Sequence, residues 1–300
     1  MRVGVVGYGS IGQRHVHNLR TLGHDVKFYD PGAGKMSSVH FEREIYEQCD
    51  AVVIATPSWV HTGCIRACAE RGRHMLVEKP ISTSDHGLQA LLDFAKQGGA
   101  VVMVGTNLRF HPCVQQASEC MRRRYVGTPL WASFTCAAKS IKAPYLSDGV
   151  ILNTGAHEVD LALHLLGPAR VLTASARTGE YGDDIVDFVL EHEGGCRSVF
   201  HIDLITETEI REFRIIGTEG DLYCDLPGRT LRGRQPDDKL PGITHVKDFD
   251  GPGSYDTDYV DEMRAFIDRI EGKTVYGATG ADGLATLRVL LDVRKMAGLT

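Results

Sequence analysis

The stretch that decides the fold is Arg2-Val3-Gly4-Val5-Val6-Gly7-Tyr8-Gly9-Ser10-Ile11-Gly12. Arg2–Val6 is a short valine-rich run that reads as a buried strand. Gly7, Gly9 and Gly12 then make a G-x-G-x-x-G, and helical spacing follows from about Ile11 to Leu22. Strand, glycine turn and helix in that order are the context a dinucleotide fingerprint requires. Gly7 permits the tight turn, Gly9 lets the backbone approach a pyrophosphate, and Gly12 lets the helix pack close to the sheet. The helix start at Ser10 and Ile11 offers N–H groups and a positive dipole end to phosphates. A second strand, Asp25–Tyr29, runs into Asp30, which lies 18 residues past Gly12. A carboxylate at about 20 residues holds the adenosine ribose hydroxyls and repels a 2′-phosphate, so NAD is favoured over NADP. Lys35 nearby softens that preference, and Asp30-Pro31-Gly32 also reads as an ordinary turn.

The same rhythm continues outward from this start. Ala51–Ala55, His74–Val77 and Val101–Val104 are further β-rich runs, with helical spacing in Trp59–Arg71 and Ser84–Gln97 between them. Continuous apolar strands alternating with helices predict a doubly wound parallel sheet covered on both faces. Beyond about residue 125 the pattern changes. Pro129–Ala137 reads as a strand and Asn153–Leu166 as one helix ended by Gly167-Pro168. Strand candidates then follow one another at Arg170–Arg177, Asp184–Glu191, Arg197–Leu204, Ile210–Ile216 and Asp221–Cys224. Such a series predicts a largely antiparallel open sheet in an α+β domain. Pro227–Gly253 reads as loop, and helices over Tyr255–Ile270 and about Ala281–Ala297 close the chain. The expected division is a dinucleotide-binding domain over 1–122 and a substrate-binding and dimerisation domain over 123–300.

Composition excludes several classes. With 43% hydrophobic and 24% charged residues in 300, the chain has the material for a sizeable core and is not mainly disordered. Its longest apolar runs fall far short of the ~20 residues of a membrane span. No secretory leader is visible before Arg2. A net charge of −6 gives no electrostatic reason for nucleic acid, and Arg122–Arg124 is too short to change this. The eight cysteines are irregularly spaced, with no C-x-x-C and no second ligand pair for Cys64 and Cys68. They read as reduced thiols packed in a cytoplasmic protein, with no metal site.

Candidate ligand contacts cluster at the carboxyl ends of the predicted strands. Thr56-Pro57 follows the third strand, with His61 a few residues on; His61 also reads as a helix-surface histidine. Glu78-Lys79-Pro80 follows the fourth. The stretch Val53–Ser82 resembles the glucose-fructose oxidoreductase / inositol dehydrogenase / MocA family. Thr106-Asn107-Leu108-Arg109-Phe110, Gly127–Pro129 and Gly155-Ala156-His157-Glu158-Val159-Asp160 look like further family segments, so the resemblance covers nearly the whole chain. It implies hydride exchange between nicotinamide and a carbinol or carbonyl carbon of a sugar, nucleotide-sugar or cyclitol. It carries the acid/base roles onto Lys79 and His157, either of which can move a hydroxyl proton when tuned toward neutrality. The bland readings are a surface lysine and a capping or core histidine.

One position departs from the family pattern. Asn153 stands where the family commonly has Asp, and an amide binds substrate without supplying charge. Asp160 and His164 offer a competing pair that shares a helix face with His157. Softer candidates are Asn107 for cofactor and Arg109 for substrate, although Arg109 also reads as a surface charge. Lys139, Lys142 and Tyr145 fall where a substrate lid is expected, Tyr145 being a substrate-contact candidate alongside Asn153. Tyr255, Asp258 and Tyr259 are candidates for closing the pocket. The outer face of the second sheet is the expected surface for a homodimer or homotetramer. Two alternatives stay open: a non-catalytic NAD-binding regulator, and an enzyme acting on a small non-sugar carbonyl compound.

Overall fold

A computed structural model describes residues 1–34, 37–139, 149–179, 182–234 and 256–299. By internal contacts the chain divides into one unit of Met1–Phe110 with Tyr255–Leu287, and another of His111–Ser254 with Arg288–Thr300.

The first unit is built on β1 (Arg2–Val6), β2 (Asp25–Tyr29), β3 (Ala51–Ile54), β4 (His74–Glu78) and β5 (Val102–Gly105). The helices α1 (Ser10–Thr21), α2 (Glu42–Gln48), α3 (His61–Ala69) and α4 (Leu88–Gln97) lie between these strands in sequence. The strands lie in the order β5-β4-β3-β1-β2 and all pair in parallel. Every residue of β3 is buried, as are the last four of β1, which is why these strands read as unbroken apolar runs. Helix α1 buries Gly12, His15, Val16 and Leu19, spaced to form one stripe. Two late segments complete this unit. Helix α8 (Asp256–Ile270) contributes Met263, Phe266 and Ile267 to the core around Val3, Val5, Leu19 and Phe28. The short strand β13 (Ala278–Thr279) adds to β5 in antiparallel fashion. The expected boundary at 122/123 is therefore corrected: the division falls at Phe110/His111, and the chain returns to the first unit near its end. The apolar face of α8 finds its partners in the first core, which local periodicity does not reveal.

In the second unit a seven-stranded sheet has the order β12-β11-β10-β6-β9-β8-β7. Its strands are β6 (Pro129–Ala137), β7 (Ala169–Gly179), β8 (Gly182–His192), β9 (Arg197–Asp203), β10 (Ile210–Gly217), β11 (Asp221–Asp225) and β12 (Thr230–Arg234). All neighbours are antiparallel except β6 with β9. Phe188, Phe200, Phe134 and Phe213 sit in register across four strands and stack, with ring centroids 4.3, 5.0 and 5.7 Å apart. The opposite face carries Trp131 and Val199, each 37% exposed. Helices α5 (Pro112–Arg122), α6 (Gly149–Asn153) and α7 (Gly155–Leu166) belong to this unit, and α9 (Gly280–Met296) ends in it.

Two expectations are corrected here. The helix read over Asn153–Leu166 is α7, which starts at Gly155, and a short helix, α6, precedes it over Gly149–Asn153 with Thr154 between them. Part of the stretch read as loop forms β12, because Leu231 buries itself in a strand paired to β11. All eight cysteines are free and buried. Among the described residues no helix is long and apolar enough to cross a membrane.

Candidate active-site elements

The glycine turn leaves β1 with Gly7 at φ +95°, and a side chain there would meet Ala55 O at 2.3 Å. A Cβ on Gly12 would stand 2.1 Å from Gly7 O. Two main-chain approaches therefore exclude a side chain at positions 7 and 12. In α1 the amide of Gln13 bonds to Gly9 O at 2.9 Å, so the helix ladder begins there. The amides of Ser10, Ile11 and Gly12 precede that first bond and have no acceptor within the helix. A glycine turn, three N–H groups without an acceptor in the helix and the positive end of a 12-residue helix fit a dinucleotide diphosphate.

Asp30 follows β2. One carboxylate oxygen accepts the Tyr8 N–H at 2.7 Å and the other accepts the Gly32 N–H at 2.6 Å. These bonds fix the carboxylate beside the turn and leave each oxygen a further lone pair for a hydroxyl donor. Tyr8 stacks on Phe28 with centroids 4.0 Å apart. Lys35 lies outside the described residues.

At the carboxyl ends of β3 and β4 the sequence candidates take different places. His61 is buried, and its ring nitrogens lie 2.8 Å from Thr56 O and 2.9 Å from Pro80 O. Both nitrogens are turned to backbone carbonyls, so the ring fastens the two strand ends together; it does not sit on the helix surface. Burial lowers its pKa, against the pull of those two carbonyls. Pro57 opens the 3-10 turn Ser58–Val60. Glu78 ends β4 and is buried; one of its oxygens lies 2.7 Å from His15 Nε2 and the other accepts the Lys79 N–H at 3.2 Å. Burial alone raises a carboxyl pKa, but the His15 hydrogen bond, with the charge and main-chain N–H of Lys79 beside it, holds Glu78 below its ordinary value.

Asn107 and Arg109 occupy a buried 3-10 turn after β5. Arg109 is only 6% exposed. Its guanidinium lies 3.9 Å from Asp282 and its carbonyl accepts the Tyr276 hydroxyl at 2.6 Å. The surface-charge reading of Arg109 is thereby corrected. Asp258 is buried, and Tyr259 packs on α1, with Arg14 over its ring at 4.7 Å and His15 edge-on at 6.2 Å.

In the second unit Asn153 ends α6 and His157 lies in the first turn of α7, where its N–H bonds Thr154 O. Two fixed contacts hold these short helices. Asp183 on β8 accepts the Ile151 N–H at 2.9 Å. Glu158 accepts from Arg211 Nε on β10 at 2.8 Å, largely away from water. Asp160, on α7, is buried. His164 lines a groove of about 590 Å³ with Ser118, Arg122, Thr128 and Leu165, which His157 and Asp160 do not line. Lys139 pairs with Glu207 at 2.5 Å. Lys142, Tyr145 and Tyr255 lie outside the described residues.

Comparison with known proteins agrees with this geometry. The profile described as "Oxidoreductase family, NAD-binding Rossmann fold" matches residues 1–106, and the GFO/IDH/MocA C-terminal domain matches 114–223. The chain belongs to the Gfo/Idh/MocA oxidoreductase family. It is 26% identical to inositol 2-dehydrogenase 2 of Saccharopolyspora erythraea, covering 96% of this chain and 91% of the relative. It is 30% identical to D-xylose 1-dehydrogenase (NADP(+)) 2 of Haloferax volcanii, over 60% of this chain and 57% of that one. Levoglucosan dehydrogenase solved with NADH and levoglucosan superposes with a TM-score of 0.86 at 20% identity, covering 99% of this chain and 97% of that one. The last likeness speaks for the fold.

Within the family frame the chain is an oxidoreductase whose amino-terminal domain is an NAD-binding Rossmann fold. Sequence reading missed two structural supports of the site elements. His15 follows the last fingerprint glycine by one helical turn, but its partner Glu78 is 63 residues away. Arg211 and Glu158 are likewise distant, 53 residues apart. The signal for each was a charged or titratable residue inside an otherwise apolar helix stripe or strand face.

Proposed function

We propose that this protein is an NAD-dependent dehydrogenase or reductase acting at a CH–OH carbon of a sugar, cyclitol or nucleotide-sugar, with Lys79 and His157 as its acid/base groups. One observation carries most of this reading. Lys79 follows β4 at the carboxyl edge of the parallel sheet, the edge at which the glycine turn leaves β1. Ligands of open α/β sheets bind at that edge. The names of relatives that act on inositols and xylose support the substrate class.

When bound, NAD supplies a hydride acceptor or donor at its nicotinamide ring. The backbone amides of Ser10, Ile11 and Gly12 hold the diphosphate, and the Asp30 carboxylate holds ribose hydroxyls and disfavours a 2′-phosphate. Thr56, Pro57 and Asn107 line the strand ends toward the nicotinamide half. Lys79 Nζ takes the proton from the substrate hydroxyl in oxidation and returns it in reduction. His157 is the second proton carrier, and Asn153 contributes hydrogen bonds without charge.

The test is to mix the protein with NAD or NADH and a panel of sugars, cyclitols and nucleotide-sugars, and to follow absorbance of the reduced nicotinamide. Turnover that vanishes in Lys79→Ala while NADH still binds supports the proposal. NADH binding with no turnover on any compound favours the non-catalytic regulator. Tighter binding of NADPH than NADH overturns the role given to Asp30.

The exposed sheet face around Trp131 and Val199 is the proposed homodimer surface. A monomer by sedimentation at micromolar concentration refutes that assignment. Eight free thiols suit a reducing compartment such as the cytoplasm. Recovery of the protein in a secreted fraction with its thiols oxidised overturns that placement.

A further inference from the structure

We propose that His15 is a positioning residue for Lys79: through Glu78 it fixes the main chain at the strand end that carries Lys79, and ties that strand end to the helix behind the glycine turn. The inference deepens the reading above, since it takes Lys79 as an acid/base group.

The argument starts from the hydrogen bonds. A carboxylate only accepts, so His15 Nε2 must carry a proton and donate it to Glu78 across 2.7 Å. His15 Nδ1 is buried and has no partner among the described residues. A second N–H there would be an unsatisfied buried donor, so the ring is the neutral tautomer protonated on Nε2. Glu78 therefore keeps its negative charge in the interior, held by one imidazole N–H and by the Lys79 main-chain N–H at 3.2 Å.

The surroundings are shaped for this carboxylate. Gly105 is its register partner on β5, and a Cβ at that position would stand 3.2 Å from the carboxylate carbon and from both oxygens. A side chain there would crowd the group. From α8 the Tyr259 ring meets His15 edge-on at 6.2 Å, and Arg14 lies over that same ring. The imidazole is thus enclosed by α1, α8 and the end of β4.

Two consequences follow for Lys79. Its main-chain N–H is anchored, so the direction in which the side chain leaves β4 is set. An anionic Glu78 one residue away also favours the ammonium form of Lys79 over the free amine. Losing the His15 donor strips a buried carboxylate of a charge-assisted hydrogen bond, and such a group takes up a proton. Lys79 then loses a neighbouring negative charge, and a larger fraction of it is free amine at neutral pH.

The experiment reads Lys79 directly and needs no substrate. Full-length wild type, His15→Leu and His15→Gln are labelled with trace acetic anhydride from neutral to about pH 11. Acetylation of Lys79 is measured by peptide mass spectrometry relative to exposed Lys96. Near neutral pH, Lys79 of His15→Leu is expected to label at least about threefold faster than wild type, with the difference vanishing at high pH. Glutamine keeps an N–H donor of similar reach and is expected to restore the wild-type curve. If His15→Leu does not fold, His15→Asn replaces it, because its shorter amide stops short of Glu78.

An unchanged curve, slower labelling, a difference that persists at high pH, or a glutamine variant no better than leucine each overturn the proposal. NADH titration of the same wild-type sample judges the proposed function separately. Failure to bind NADH sinks that reading while the labelling curves still decide the role of His15.

Discussion

Gly12→Ala is the sharpest perturbation that the glycine turn allows. The new methyl carbon would stand 2.1 Å from Gly7 O and 2.9 Å from Gly7 C. Non-bonded heavy atoms settle near about 3.5 Å, so the first turn of α1 and the bend after β1 must separate by more than about 1 Å. The obstacle is main chain, which cannot rotate away as a side chain does. Overpacking of this kind costs about 1–3 kcal/mol. At about 2–4 °C per kcal/mol, the midpoint of thermal unfolding followed by circular dichroism is expected to fall by about 2–12 °C. Separating the bend from the amides of Ser10, Ile11 and Gly12 is also expected to weaken NADH binding at least about tenfold by fluorescence titration, or about 1.4 kcal/mol. Gly63→Ala on α3 is the matched control. A Cβ there meets nothing within 4 Å. In that helix the change is expected to be neutral or to stabilise by up to about 1 kcal/mol, with NADH affinity unchanged. If the two alanines behave alike, or if Gly12→Ala binds NADH as wild type does, the steric account of the turn is wrong.

Two further outcomes follow from the described contacts. Arg211→Leu removes the 2.8 Å donor to Glu158, a carboxylate with 3% exposure, and is expected to cost about 2–4 kcal/mol in urea unfolding. The double change Arg211→Leu with Glu158→Leu should recover most of that loss, and a single-variant cost below about 0.5 kcal/mol would show that the pair does not hold α7 to β10. His61 has its pKa lowered by burial from an ordinary 6.5. The unfolded chain therefore takes up a proton that the folded state refuses, so its contribution is present above 6.5 and is lost as pH falls through the lower folded value. Replacing His61 by Gln is expected to flatten that part of the acid limb of stability below pH 6.5, and an acid limb of unchanged slope would refute the assignment.

Much of the fold was legible because its strands are short, continuous and apolar. Arg2–Val6, Ala51–Ala55 and His74–Val77 have no helical spacing to compete with, and the structure makes strands of all three. The consecutive strands after residue 169 announced the second sheet for the same reason. The segments missed were those whose pattern is short or set by distant partners. Helix α2 is seven residues of mostly charged sequence. The strand β12 reads TLRGR, with Leu231 its one fully buried hydrophobic residue. Helix α6 is five residues, Gly149–Asn153, too short for helical spacing to show.

In the site elements, Gly7, Gly12 and Asp30 were placed by their spacing from a strand end, whereas Lys79 was singled out through the family resemblance. His61 and Arg109 were placed near the right strand ends but not in the right surroundings. What each of them touches, Pro80 O and Asp282 respectively, depends on a part of the chain that no local pattern points to. His15 escaped notice although it interrupts the buried stripe of α1, because its partner Glu78 lies 63 residues further along the chain.

The return of α8 and β13 to the first sheet has a consequence for synthesis. Translation delivers β1 to β5 early, but Met263, Phe266, Ile267 and Ala278 leave the ribosome only after the whole second sheet has been made. Until then the nascent amino-terminal layer lacks part of its interior, and β5 presents an uncovered border to other chains. A fragment cut at residue 122 would remain in that unfinished condition permanently. For this polypeptide, the dinucleotide-binding half is the first to be started and among the last to be completed.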